Sequence, residues 1–195
     1  MKQTFTIFAI MFTMSTNAGI YTNTSNFRPY IGIDAGLNIS DYTYETDLDD
    51  IYYSATINAG ARIGHNFGVE LFFTHSSTNK LGMIDSFSTL DHEVYYMGYG
   101  FDIFGYYPVS RNFDFFTSFG IANYHIYNKY EYISPFYETS DKTSDNTVTS
   151  RFGIGILYTF PEDNMSGLLQ YQYTPLSNEL FKNMSEFSIG IRYIF

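Results

Sequence analysis

The chain of 195 residues contains no cysteine, and charged residues make up only 15% of it. The lack of cysteine excludes disulfides, cysteine-ligated zinc and thiol nucleophiles. An ordinary soluble domain carries roughly 25% charged residues, so this chain has too little charge to coat a soluble globule comfortably. Its ten lysines and arginines are scattered and its formal net charge is -10, which argues against nucleic acid as a partner.

Long apolar runs are also scarce. The largely apolar run at residues 5–14 follows Lys2 and precedes small residues that end at Ala18. This pattern is typical of a signal peptide, which we predict at residues 1–18; the alternative is a buried first strand. No later segment approaches the ~18 consecutive apolar residues of a membrane helix. The exported chain is therefore either soluble outside the cytoplasm or a membrane β-barrel.

From Arg28 onward, apolar and polar residues alternate with a period of two, which indicates β-strands. Each segment is near the ~9 to 11 residues with which a tilted strand crosses a bilayer. Eight such segments lie at about 28–40, 53–64, 68–77, 92–106, 112–127, 147–160, 166–175 and 184–195. Short connections at 65–67, 107–111 and 161–165 alternate with longer ones at 41–52, 78–91, 128–146 and 176–183. We therefore predict an all-β fold, an eight-stranded antiparallel transmembrane up-and-down β-barrel at residues 28–195, after a short periplasmic segment at residues 19–27.

The two faces of these strands differ in charge. One face is uncharged and largely apolar, beginning with Ile31 and Ile33. The other face contains 11 of the 15 glycines. Its charged residues are Asp34, Arg62, Glu70, Asp102, Asp114, Arg151, Glu186 and Arg192. A crowded eight-stranded interior needs small residues, so this second face is predicted to line the inside.

Counting residues across the connections predicts an ion network in the lumen. A turn centred on Asn66 sets Arg62 opposite Glu70, and the same counting across the first loop allows Arg62 to lie opposite Asp34. Closure of the last strand on the first brings Arg192 near Asp34. These four charged residues are expected to fill the periplasmic half of the lumen.

Two more inward carboxylates are expected to meet. A turn centred on Pro108 sets Asp102 against Asp114, a pair of like charges that needs a cation or a proton nearby. Arg151 also faces inward. A lumen cross-linked in this way is predicted to be filled; the alternative is a narrow, porin-like conduction path controlled by the ion pairs.

The last ten residues, EFSIGIRYIF, alternate cleanly and carry aromatic residues at Tyr193 and Phe195. In this the chain resembles the bacterial outer-membrane barrel family, and more narrowly its eight-stranded OmpA/opacity-type members. The resemblance implies a monomer in the outer membrane, among membrane lipid and lipopolysaccharide, with long external loops. It also implies that Tyr193 and Phe195 are read by the barrel-assembly machinery. No peptidoglycan-binding domain follows, so we expect a structural, adhesion or antigen role, with a host or surface ligand at the loops.

A catalytic alternative comes from the stretch FFTHSSTN at residues 72–79. His75 and Ser77 are predicted to face outward at the external end of the third strand, and Glu93 on the next strand has matching parity. A serine, a histidine and a carboxylate are the minimum for acyl-ester hydrolysis, and outer-membrane lipid A deacylases resemble this arrangement. In this sequence Thr78 replaces the asparagine of that motif. The competing interpretation is ordinary polar decoration of the barrel rim.

Other motifs predict no cofactor and no metal site. The first long loop contains five acids at residues 41–51, but it lacks the spacing of a calcium-binding loop. We interpret it as a solvated acidic loop. The glycines at residues 98–105 alternate along a strand and do not form a phosphate-binding loop.

Overall fold

Nine antiparallel β-strands make up most of the described chain. The computed structural model describes residues 27–43, 50–85, 88–134, 136–161, 164–176 and 180–195. The strands are β1 (Phe27–Tyr42), β2 (Ile51–Ile63), β3 (Phe67–Ser76), β4 (Asn79–Asp85), β5 (Ser88–Pro108), β6 (Phe113–Ser134), β7 (Tyr137–Thr159), β8 (Met165–Pro175) and β9 (Phe181–Ile194). Among the described residues, no helix has the length and apolar character to span a membrane. The predicted signal peptide lies outside these residues, as does most of the acidic first loop.

The strands close into a barrel. Each strand pairs with its neighbours in the order β3-β2-β1-β9-β8-β7-β6-β5-β4, and β3 also pairs with β5. β3 and β4 lie end to end along β5, with a break at Ser77 and Thr78. β3 and β4 together occupy one strand position, so the nine strands fill eight positions around the barrel, which we call staves. The predicted eight-stranded antiparallel barrel is confirmed. The short turns lie at one end of the barrel and the longer hairpins at the other.

The faces of the strands are divided as the alternation predicts. Apolar side chains such as Ile33 and Ile189 are 64% and 65% exposed on the outer surface. Arg151 and Arg192 are 6% and 4% exposed in the interior. An arginine that faces lipid at the midplane costs ~2 to 4 kcal/mol, whereas these side chains find carboxylates inside the barrel. The outer surface is thus the apolar one.

Two connections differ from the prediction. Residues 128–146, expected as a long loop, belong mostly to β6 and β7, which pair up to Ser134 and Tyr137. Residues 78–91, also expected as a loop, contain β4 and the start of β5. Pairing satisfies the backbone hydrogen-bonding groups of these segments, and the threonine and tyrosine in 128–146 favour strands. Both connections are therefore tall hairpins.

The register across the β2–β3 turn also differs from the prediction. Gly64 has a φ of 67° and belongs to the turn, which is centred on His65 and not on Asn66. Because a shift of the centre by one residue moves each ladder partner by two, Arg62 and Glu70 are not opposite each other. The shift of two keeps both side chains on the inner face.

Two further expected pairings are wrong for the same kind of reason. Arg62 lies opposite Arg28 on β1, and not opposite Asp34. The turn between β5 and β6 is centred beyond the predicted proline, so Asp102 and Asp114 are not ladder partners. Loop length and turn type set these registers, and neither can be read from alternation.

The close approach of β1 to β9 gives a test of the interior packing. A Cβ at Gly190 would lie 1.7 Å from Asp34 Oδ1, whereas a Cβ at Gly167 would lie 3.8 Å from the nearest atom, on Phe160. We expect Gly190→Ala to lower the free energy of unfolding by about 1–3 kcal/mol through overpacking, and Gly167→Ala to have a smaller effect. Urea unfolding in lipid vesicles measures both. Equal midpoints for the two variants would contradict this packing.

Candidate functional site

The charged centre of the lumen is built around Arg192 on β9. Its Nη1 lies 2.5 Å from Asp34 Oδ1, and its Nε lies 3.1 Å from Glu70 Oε2. Asn58 Nδ2 donates a hydrogen bond of 2.7 Å to the other oxygen of Asp34. One guanidinium therefore links β9 to β1 at its side and to β3 across the interior. Three of the four residues expected in the network meet here: Asp34, Glu70 and Arg192.

Arg151 on β7 forms a second charged group. Its Nε lies 3.4 Å from Asp102 Oδ1, and its Nη2 donates a hydrogen bond to Gln172 on β8. The guanidinium carbon lies 3.7 Å from the centroid of the Phe72 ring. A cation over an aromatic face is stabilised by the ring quadrupole, and more strongly when it is desolvated. Arg151 thus joins four staves through one side chain.

Arg62 on β2 forms the third group, nearest the short-turn end. Its Nη1 lies 2.6 Å from Asp114 Oδ2, and its Nη2 donates to the His65 carbonyl at 2.5 Å. The guanidinium carbon lies 4.4 Å from the Tyr106 ring centroid. Arg62, Arg151 and Arg192 therefore each have a carboxylate and an aromatic ring as neighbours, since the Arg192 guanidinium carbon lies 5.8 Å from the Tyr30 ring centroid. Arg62 pairs with Asp114 where the sequence predicted Glu70.

A pair of like charges does occur in the lumen, but it differs from the predicted one. Glu70 and Asp102 are ladder partners on β3 and β5. Like charges directly opposite each other destabilise a sheet. Here each carboxylate is held by a different arginine, Glu70 by Arg192 and Asp102 by Arg151. The two arginines compensate for the repulsion that the register creates.

Apolar side chains pack inside the barrel on both sides of the Arg192 and Arg151 groups. Toward the short turns the cluster comprises Phe104, Tyr106, Phe116, Leu157 and Leu168. Toward the tall hairpins it comprises Tyr52, Phe72, Val94, Tyr96, Ala122, Tyr124, Ile126, Leu176, Phe181 and Met184. Between the first cluster and Arg192 lies a cavity of about 30 Å³, near Arg28 and Ser166. The Arg192 and Arg151 groups thus lie between two apolar clusters, whereas the Arg62–Asp114 pair lies beside the first cluster at the short-turn end.

Sequence reasoning missed the neutral partners of this network. The uncharged residues that contact the inward charges have the same parity along their strands as other inward-facing residues. They are Asn58, Gln172, Phe72 and Tyr106. From that parity, the sequence could have predicted that these four side chains face the lumen. Which of the inward polar or aromatic residues touches which charge depends on the register, so the contacts themselves could not be predicted from the alternation.

The residues of the catalytic alternative do not converge. His75 is exposed on the outer surface and stacks on Tyr95 at 6.0 Å between ring centroids. Ser77 lies in the break between β3 and β4, where its Oγ accepts a 3.1 Å hydrogen bond from the Tyr53 backbone N–H. The ladder partner of His75 is Met97, and Glu93 is four residues farther along β5. That is roughly 13 Å along a strand, well beyond hydrogen-bonding reach.

At the tall end, part of the wall continues beyond the barrel. We call the protruding sheet the segment made of β4 and residues 88–96, 126–134 and 137–145. Its strands continue β5, β6 and β7 without interruption, whereas β7 pairs with β8 only from Phe152 onward. At about 3.3 Å per residue, the sheet extends roughly 30 Å along its strands beyond the last β3–β5 pair, His75 with Met97. The barrel therefore carries a one-sided extension.

The protruding sheet has charged residues on both faces. On the outer face, Lys129 lies between Glu93 and Lys142 in the ladder, and its Nζ lies 2.8 Å from Glu131 Oε2. The hydrogen bond that Lys129 donates to Glu131 raises the pKa of Lys129 above its ordinary value. On the inner face, Asp141 lies opposite Tyr130. At the base of the sheet, the outward aromatic rings form a band, with stacked pairs at His75–Tyr95, Tyr95–Tyr127 and Tyr99–His125.

Tyr193 is near the end of β9 and Phe195 directly follows this strand, at the short-turn end. Tyr193 and Phe195 are both about half exposed on the outer surface, with ring centroids 5.4 Å apart. The Phe195 N–H donates to the Pro29 carbonyl at 3.0 Å, which continues the pairing of β9 with β1. The last residue is thus part of the closed ladder.

A closed barrel with an apolar exterior, a charged interior and aromatic residues near both ends is a transmembrane β-barrel of the outer-membrane class. The sequence matches the family described as outer membrane protein beta-barrel domain over residues 4–195. The protein belongs to this family and is a protein of the bacterial outer membrane. No curated protein matches the sequence closely enough to count as a relative.

Solved outer-membrane barrels share this fold. Neisserial surface protein A is 17% identical, with a TM-score of 0.57 over 88% of this chain and 98% of its own. Ail, the attachment invasion locus protein of Yersinia pestis, is 15% identical, with a TM-score of 0.53 over 87% and 97%. The N-terminal domain of Pseudomonas aeruginosa OprF is 14% identical, with a TM-score of 0.52 over 85% and 97%. At these identities the likeness shows the fold alone.

Removal of the central guanidinium tests the lumen network. Arg192→Met leaves Asp34 and Glu70 as buried charges without their partner, so we expect it to lower the free energy of unfolding by roughly 3–5 kcal/mol. Arg111→Gln, in an exposed turn, is the control and should change it by less than about 0.5 kcal/mol. Urea titrations in lipid vesicles measure both. Similar midpoints for Arg192→Met and the parent would mean that the network does not hold the barrel together.

Proposed function

We propose that the protein is a surface recognition protein, in which a filled barrel anchors the protruding sheet outside the cell. The observation that carries the proposal is strand length. β5, β6 and β7 contain 21, 22 and 23 residues, whereas a tilted strand needs only ~9 to 11 to cross the bilayer. About half of each strand is therefore not needed in the membrane and is free to carry a recognition surface.

The orientation follows from the two ends of the barrel. Outer-membrane barrels place short turns in the periplasm and longer connections outside. The protruding sheet is at the end with the longer connections, and the N-terminal end of β1 and the C-terminal end of β9 are both at the other. On this basis the sheet faces the exterior, where it is available for adhesion or as an antigen.

A filled lumen is the second part of the proposal. Eight staves leave an interior only wide enough for side chains, and here two apolar clusters enclose the ion pairs of Arg192 and Arg151. The cavity of about 30 Å³ is near the short turns and on one side of these ion pairs. An ion in transit would have to separate Arg192 from its two carboxylates and displace the rings of Tyr52 and Tyr96.

The geometry favours recognition over lipid hydrolysis. Glu93 is four residues from the ladder partner of His75, and Ser77 Oγ is bonded to the backbone of β2. Both features support a role for His75 and Ser77 at the membrane boundary. The outward positions of Tyr193 and Phe195 on the last strand support their proposed reading by the barrel-assembly machinery, and one chain closes the whole barrel, as expected of a monomer.

Shortening the protruding sheet tests the recognition role. When residues 129–142 are replaced by Asn-Gly, the barrel should still fold, because the ladder below them is intact. Non-adherent bacteria that display this variant should adhere to epithelial monolayers no better than bacteria with an empty vector, whereas the parent should raise adherence. Counts of bound bacteria measure the effect.

A cysteine label supplies the control for orientation, since the chain has no cysteine of its own. Ser140→Cys in the sheet should react with a membrane-impermeant maleimide on intact cells, and Ser110→Cys in a short turn should react only after permeabilisation. Labelling in the reverse pattern, or full adherence by the shortened variant, would contradict the proposed function.

Conductance tests the filled lumen. The purified protein in a planar lipid bilayer should show no stepwise ionic current under voltages at which an open porin conducts, because the ion pairs of Arg192 and Arg151 occupy the lumen between the two apolar clusters. Regular single-channel steps that scale with salt concentration would instead identify a pore.

A further inference from the structure

β7 has a free edge above the barrel. It pairs with β6 along its whole length up to Tyr137, but with β8 only from Phe152 to Thr159. Among the described residues, the segment Thr139–Asn146 therefore has a ladder partner on one side only. The link between β8 and β9 contains only five residues, 176–180. The nearest residue of the segment, Asn146, is six residues away from Phe152 along β7, on the side of the tall hairpins. We call Thr139–Asn146 the free edge.

The free edge is open to solvent on both faces. Every side chain from Ser140 to Asn146 is exposed. In an antiparallel strand, alternate residues turn their N–H and C=O groups away from the paired neighbour. An edge strand with these groups unpaired is a template for the addition of another strand. The free edge thus offers a preformed ladder of about eight residues.

The charges on the inner face of the free edge specify what can be added, whereas its outer face carries Lys142. Asp141 and Asp145 lie four residues apart and share the inner face, with Thr143 between them. The Thr147 hydroxyl donates to Asp145 at 3.5 Å. In an added strand, the residues directly opposite the two aspartates would also be four apart on one face, where opposite charges stabilise the pairing. The partner strand should therefore carry basic residues at this spacing.

A second copy of the chain is a poor partner for this edge. Two barrels in one membrane hold their β7 strands at a tilt of ≈ 35–45°, so an axis along the membrane normal would cross the strands at roughly 70–90°. Adjacent strands in a sheet differ by only about 20–25°. A two-fold pairing centred on Thr143 would also place Asp141 opposite Asp145 of the copy. An extended segment of another protein has neither constraint.

We propose that the free edge binds an extended segment of a partner protein by strand addition, with basic side chains four residues apart set against Asp141 and Asp145. The inference rests on the proposed function, because the partner can reach the edge only if the protruding sheet lies outside the cell. It names the partner by two properties, an extended backbone with free amides and a basic residue at every fourth position.

The test uses the full barrel in lipid nanodiscs and a labelled ten-residue peptide, TVKVTVKVTV, with both ends blocked. Fluorescence anisotropy measures its dissociation constant. A second peptide has the same sequence but N-methyl groups on alternate amides along one edge, so it keeps the charge and loses the ladder. Asp141→Asn with Asp145→Asn removes the two charges, and Asp91→Asn with Glu131→Gln removes two charges from the outer face as the matched control.

The parent should bind the unmodified peptide at least tenfold more tightly than the N-methylated one. Asp141→Asn with Asp145→Asn should weaken binding about 2- to 30-fold, as expected for two exposed cross-strand charge pairs. The outer-face variant should bind as the parent does. Equal binding of both peptides, equal loss in both variants or no binding at all would overturn the proposal. If Ser140→Cys is labelled from outside and the shortened sheet loses adherence, such a result would leave the proposed function standing.

Discussion

Closure of the backbone ladder is the constraint on which the rest of the structure depends. Lipid offers no hydrogen-bond partner to the backbone, so the first strand has to pair with the last, as β1 does with β9 from Tyr30 to Tyr42. Closing eight staves leaves an interior only as wide as its side chains. Every inward residue therefore has to fit its neighbours, and Gly190 provides the space that the carboxylate of Asp34 occupies.

In so narrow an interior, the inward charges become structural links. A guanidinium presents several donors in a plane and stacks on rings, so one arginine can satisfy carboxylates on different strands. Arg192 binds Asp34 on the adjacent strand and Glu70 across the lumen. A buried ion pair adds little net stability compared with apolar packing, but loss of one partner is costly. We infer that these pairs fix the arrangement of the strands more than they drive folding.

The sequence was sufficient to predict the strands, their inner and outer faces and the closed barrel, because alternation and charge report directly on which side of a strand is buried. It predicted the pairing of Arg192 with Asp34, but not the other partners. Gly64 reads as a strand residue, yet its φ of 67° places it in the turn, and that one residue moves Arg62 away from Glu70. The tall hairpins were missed because the segment 128–146 contains Pro135 and many polar residues, and above the membrane a strand needs no apolar face.

β5, β6 and β7 each form part of the barrel wall and continue into the protruding sheet, and this continuity affects how a partner would bind. A segment that continues a closed barrel is already ordered, so binding to it does not incur the entropy cost of ordering a mobile loop. An exposed edge of this kind is normally a liability, because it invites pairing between copies. Here Asp141 and Asp145 repel a like edge, and the tilt of the strands in a shared membrane keeps two edges from aligning. The features that prevent self-association are thus the ones that leave the edge open to a basic, extended partner.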